Sequence, residues 1–205
     1  TPKLFVIETE ALNAFATGMS PAHSAIGVTR GLLNALDREE LQGVIGHEMW
    51  HIVNWDIRYA TAVGVIVGLI ALVSDGALRS LYFSGRSRNS GKGGSGAAFL
   101  MLALVAFAAL APLFAFLVQM AVSRQREFLA DATSVRLTRH PQGLISALEK
   151  LASSAQPFRG ANRATQHMFI VNPFRNFKEN SSRLAATHPP MALRINRLRN
   201  LGDNT

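Results

Sequence analysis

The apolar positions of the chain change rhythm several times, and each rhythm predicts an element. Lys3 to Glu8 reads as a short strand, Ala11 to Gly18 is small and turn-rich, and Ser24 to Thr29 alternates weakly into a glycine-containing step. A small sheet is therefore expected early in the chain. Leu41, Val44, Ile45, Met49, Ile52 and Val53 then recur at helical spacing. The start of that helix is marked by Asp37 as N-cap, Glu40 as its capping-box partner, and Leu36 with Leu41 as a hydrophobic staple. Two long apolar runs follow. Beyond them the pattern is helical over Gln142 to Ser153 and Pro190 to Leu201. Residues 156 to 187 have no clean period and are expected to form a long loop over a site or a mobile segment.

The two apolar runs differ in strength. Residues 59 to 73 carry no charge, but 15 helical residues span only about 22 Å against a hydrocarbon core of ~30 Å. Extending the run to Phe83 reaches about 37 Å and takes in Asp75 and Arg79. Residues 97 to 122 are 26 uncharged residues with one tolerable proline, Pro112, and make the stronger transmembrane candidate; the alternative is a buried core helix. Ser84 to Gly96 reads as a flexible Gly/Ser/Arg linker between them. The chain thus divides into residues 1–58, a hairpin over 59–122, and residues 123–205.

A hairpin returns the chain to the face it left, so residues flanking its two ends are expected to be neighbours. His51 lies 8 residues before Tyr59, about 12 Å along a continuing helix, and Glu127 lies 5 residues after Val122, about 8 Å.

Composition narrows the chemistry. With 205 residues, 48% of them apolar, the chain can bury a core and is not a disordered protein. Cysteine is absent, which excludes a disulfide framework and thiolate metal sites; a tight zinc site must come from His, Asp and Glu. Residues 1–58 hold 4 Lys/Arg against 7 Asp/Glu, residues 59–122 hold 4 against 1, and residues 123–205 hold 13 against 5. The late basic excess has no aromatic-interleaved RNA motif and no recognition helix, so no nucleic-acid partner is expected, whereas an anionic lipid surface suits the apolar runs. The chain does not begin with Met and has no secretory signal, which predicts a fragment of a longer protein. Nothing in it sets an oligomeric state.

The helix opened by Asp37 carries His47-Glu48-Met49-Trp50-His51. Two histidines four apart share a helix face, roughly 6 Å apart, where both imidazoles can reach one divalent metal with Glu48 beside them as general base. Such a zinc needs three protein ligands and an open position, and the hairpin argument nominates Glu127 as the third. Glu127 and Asp131 are four apart, so one can bind metal while the other accepts the outer N–H of a ligand histidine. The competing reading is a solvated, salt-bridged face among Arg124, Arg126 and Arg136. Gly46, directly before His47, allows either a close-passing substrate backbone or helix packing. In zinc proteases an edge strand can also receive an extended peptide by backbone pairing.

His47-Glu48-Met49-Trp50-His51, Glu127-Phe128-Leu129-Ala130-Asp131, Thr187-His188-Pro189-Pro190 and Asn13-Ala14-Phe15-Ala16-Thr17-Gly18 together resemble the HtpX branch of membrane-integrated zinc metalloproteases, kin of the CAAX prenyl endopeptidases, from about Thr1 to Leu201. The resemblance implies a mainly α fold with a small β-sheet, a gluzincin-like HExxH catalytic domain continuous with the transmembrane hairpin. It implies one Zn2+ held by His47, His51 and Glu127, Glu48 as catalytic carboxylate, and Asp131 supporting a ligand. His188 and Arg194 resemble the residues that stabilise the oxyanion; otherwise His188 is a turn residue and Arg194 covers apolar surface with its stem. Asn13 is expected either to bind substrate backbone or to stabilise its own turn. The resemblance further implies upstream transmembrane helices, a bacterial inner-membrane location with the site facing the cytoplasm, and polypeptide substrates that are misfolded or damaged membrane proteins. Prenyl-peptide processing is the nearest alternative. A metal-transporting membrane protein would carry ligands inside the apolar runs, which here hold neither His nor Glu.

Overall fold

A computed structural model of the chain describes residues 1–87, 95–154 and 189–202. The elements are β1 (Lys3–Ile7), β2 (Ala14–Thr17), β3 (Ala25–Thr29), α1 (Arg30–Ala35), α2 (Arg38–Val53), α3 (Asp56–Ser87), α4 (Ser95–Thr138), α5 (Pro141–Ser153) and α6 (Met191–Gly202). The fold is mainly helical with one small sheet, in agreement with the sequence. The sheet runs β1-β3-β2, with β1 parallel and β2 antiparallel to β3.

Two compact units are present: residues Thr1–Ala60 with Val122–Thr205, and Thr61–Ala121. In the first, the core joins β2 and β3 to α1, α2, α5 and α6 through Ala14, Ile26, Leu32, Val44, Leu144 and Leu198. Helix α5 begins at Pro141, suited to the first helical turn, and turns Leu144, Leu148 and Leu151 inward. Each of these three is at most 1% exposed and contributes about 2 kcal/mol by leaving water. Glu40, 3% exposed, accepts from Lys150 Nζ at 2.6 Å and Ser146 Oγ at 2.5 Å, tying α2 to α5.

The second unit consists of apolar stretches of α3 and α4. Among the described residues, two helical segments are long and apolar enough to cross a membrane, Asp56–Ser80 and Met101–Thr138. Their side chains are not core: Leu72, Val73, Phe99 and Phe107 are each at least 70% exposed. That is not the burial of the core helix posed as the alternative for residues 97–122.

The expected start of α2 is observed in full. Asp37 Oδ1 accepts from the Glu40 N–H at 2.9 Å, and Glu40 Oε2 accepts from the Asp37 N–H at 2.8 Å. Three expectations are corrected. The turn-rich segment contains β2, whose small residues Ala14 and Ala16 are buried and whose pairing with β3 supplies what propensity does not. The expected linker over 84–96 is shorter, since α3 continues to Ser87 and α4 begins at Ser95. The helix carrying His51 does not run on into α3: Asn54 caps α2, and Trp55 takes a left-handed conformation (φ 58°) before α3 restarts at Asp56.

Candidate metal centre

Helix α2 presents His47 and His51 on one face, as four-residue spacing dictates, with Nε2 atoms 3.1 Å apart. Glu127, on α4, meets them from the far side of the sequence. Its Oε2 lies 3.7 Å from His47 Nε2 and its Oε1 3.6 Å from His51 Nε2. One ligand atom from each of the three residues lies within 4.8 Å of the others. A tetrahedral ion with bonds of about 2.1 Å separates its ligand atoms by roughly 3.4 Å, so the trio fits one divalent metal.

The outer nitrogens explain why. His47 Nδ1 is 3.0 Å from Asp131 Oδ1, and His51 Nδ1 is 2.6 Å from Asp56 Oδ2. A carboxylate can only accept, so in the neutral imidazole that a metal binds each Nδ1 carries the proton and each Nε2 offers its lone pair. Two lone pairs and the Glu127 carboxylate then converge on one small volume. Such a donor set is one that a divalent cation would hold together.

Glu48 is 1% exposed, next to both histidines in sequence, and accepts a hydrogen bond from the Ala16 N–H of β2. Burial raises its pKa above the usual carboxylate value of 4.5, outweighing the opposite pull of His51, His47 and the Ala16 N–H. A buried carboxylate with raised basicity is suited to taking a proton and giving it back.

Arg194 departs from expectation. It is 0% exposed, and its guanidinium grips Asp131 by both arms, Nε to Oδ2 at 2.8 Å and NH2 to Oδ1 at 2.6 Å. NH1 stands 3.6 Å from Glu127 Oε2 and NH2 3.4 Å from His47 Nδ1. Burial alone would lower its pKa; Asp131 reverses this and raises it. Arg194 therefore holds the carboxylate that holds His47. That position is not apolar cover, and it sets NH1 beside the carboxylate of Glu127.

Asn13 is 2% exposed, its Oδ1 accepting from the Ala14 N–H at 2.9 Å and its own N–H donating to Thr29 Oγ1 at 3.0 Å. One contact is local and the other ties Asn13 to β3. His188 lies outside the described residues. The choice at Gly46 falls to packing: an added Cβ would stand 2.8 Å from Ser134 Oγ, which donates to the Gly43 carbonyl at 2.6 Å.

Sequence reasoning missed Asp56 and Arg126. Once two histidines are nominated as ligands each needs an acceptor for its outer N–H, and an acid within a turn of His51 was the available signal. A straight helix would have hidden it, since residue i+5 lies roughly 140° around the axis.

Residues 1–202 match the profile of peptidase family M48. The chain is 46% identical over 203 residues to a protease HtpX homolog of Dictyoglomus turgidum, covering 99% of this chain and 64% of that protein. It is 47% identical over 201 residues to a protease HtpX homolog of Thermoanaerobacter pseudethanolicus, covering 98% and 66%. The chain thus spans just under two thirds of the length of these relatives. Among solved structures, Ste24p of S. mikatae is similar in fold, with a TM-score of 0.53 at 21% identity, over 96% of this chain and 44% of that one.

Proposed function

The chain belongs to peptidase family M48, and on that premise we infer that it is a zinc-dependent membrane endopeptidase that hydrolyses peptide bonds in membrane proteins, misfolded or damaged ones above all. The observation that carries this reading is the convergence of His47 Nε2, His51 Nε2 and the Glu127 carboxylate beside a buried Glu48. The chemistry of the donor set, two nitrogens and a carboxylate without thiolate, suits a catalytic zinc.

Zinc bound there supplies a Lewis acid that polarises the scissile carbonyl and lowers the pKa of a bound water to ~7. The protein's own residues do the rest. Glu48 takes the proton from the attacking water and returns it to the leaving amine, while the Ala16 N–H holds its carboxylate in register. The same hydrogen bond means that an extended peptide pairing along the outer edge of β2 would pass Glu48. Asp131, gripped by Arg194, keeps His47 in the tautomer a metal requires. His188 or Arg194 is the donor this reading assigns to the oxyanion, a role worth roughly 3 kcal/mol per donor.

The bilayer belongs to the same reading. Exposed apolar side chains around α3 and α4 are costly in water and suited to lipid, and the reading extends to a bacterial inner membrane with the site on the cytoplasmic side.

The test is Glu48→Gln in the full chain. It is expected to keep one zinc, read by atomic absorption, and to lose chelator-sensitive casein cleavage; cleavage retained by that variant overturns the role of Glu48. A wild-type chain that binds zinc but cleaves nothing leaves a metal-binding membrane protein.

A further inference from the structure

His51 is held from behind by an assembly that extends beyond the Asp56 contact at the metal centre. Asp56 Oδ2 approaches His51 Nδ1 at 2.6 Å, and the opposite carboxylate oxygen pairs with the guanidinium of Arg126. That guanidinium lies 5.3 Å from the ring centroid of Trp50 and 4.5 Å from that of Tyr59, within cation–π range of both, and NH2 reaches the Asn54 carbonyl at 3.4 Å. Asp56 and Arg126 are respectively 12% and 23% exposed in their side chains. The backbone serves the same end: Trp55, a bulky residue at φ 58°, breaks the helix and carries Asp56 back beside His51. Arg126 immediately precedes Glu127, so successive residues of α4 supply a metal ligand and the partner of the other ligand's acceptor.

We propose that Asp56 and Arg126 are positioning residues for the second histidine: Asp56 fixes the His51 tautomer and ring, and Arg126, clasped by Trp50 and Tyr59, fixes Asp56. The arrangement repeats the logic of Arg194, Asp131 and His47 on the other ligand, with the acid on α3 and the arginine on α4 in place of α4 and α6. The inference rests on the metal site proposed above, because a histidine that binds nothing needs no particular tautomer.

The test is the zinc dissociation constant of the full chain in detergent, measured by competition with a chromophoric chelator, beside the visible absorption of the cobalt-loaded protein. Asp56→Ala is expected to weaken zinc 10- to 100-fold and to shift the cobalt bands, as loss of a ligand's outer partner does. Asp56→Asn, which keeps an acceptor for the Nδ1–H, is expected to recover most of that affinity. Arg126→Gln is expected to weaken zinc by less than Asp56→Ala, and serves also if Asp56→Ala does not fold. Glu8→Gln, at an exposed ion pair with Arg30, is the control and is expected to bind as wild type. Asp56→Ala binding within twofold of wild type, or Arg126→Gln doing so where Asp56→Ala is unfolded, overturns the inference and leaves the metal site standing. A wild-type chain without zinc affinity overturns the metal site and the inference together.

Discussion

Arg194 is charged, shut away from water, and bound to an equally buried carboxylate. Removing one partner of such a pair strands the other, which typically costs 3–5 kcal/mol. Lysine cannot reproduce the two-armed grip. Arg194→Lys is therefore expected to destabilise the full chain by about 3 kcal/mol in denaturant titration; a residue acting only on a substrate oxygen would change turnover and leave the midpoint alone. Glu127→Ala is expected to lower bound zinc from one per chain towards none, and undiminished metal by atomic absorption would remove it from the ligand set. At this scale the sequence was most legible where chemistry imposes spacing. His47 and His51 had to share a helix face, and the loop-back of two apolar runs was enough to nominate Glu127. Asp56 escaped because its approach to His51 depends on one left-handed residue, Trp55, for which no glycine or asparagine gave warning.

Among the elements, α2 is the one to which the others answer. Its cap was readable because Asp37 and Glu40 act within one turn, whereas β2 was not, because Ala14 and Ala16 are strand residues by virtue of β3 alongside them. Gly43 and Gly46 are poor helix formers, and they stand where α5 and α4 come close, on Leu144 and Ser134. Gly46→Ala should gain about 1 kcal/mol of helix propensity and lose more by displacing the Ser134 hydroxyl from the Gly43 carbonyl. A net loss of roughly 1–2 kcal/mol is expected in thermal unfolding. The tie from α2 to α5 sets a pH dependence. Burial would raise the pKa of Glu40, but hydrogen bonds from Lys150, Ser146 and the Asp37 N–H outweigh it and hold the carboxyl below 4.5. The stability this provides is present above pH 4.5 and is lost as pH falls through the lowered value. Lys150→Met is accordingly expected to cost about 1 kcal/mol at neutral pH, since the ammonium is partly in water, and less in acid.

Across the whole molecule, the residues that make the metal centre are far apart in the chain: 47 to 56, 126 to 131, and 194. Metal bound to such a set favours the folded state alone. At a free zinc concentration a thousandfold above its dissociation constant the gain is about 4 kcal/mol, so chelation is expected to lower the unfolding temperature by several degrees. An unfolding temperature indifferent to chelator would mean that the three stretches come together without needing the ion.

The position of Arg194 also orders events during synthesis. A growing polypeptide that has left the ribosome only as far as α5 already contains both histidines and Glu127, yet Asp131 still lacks its guanidinium and His47 its anchored acceptor. The buried support of His47 is therefore complete only once α6 has been made and has docked.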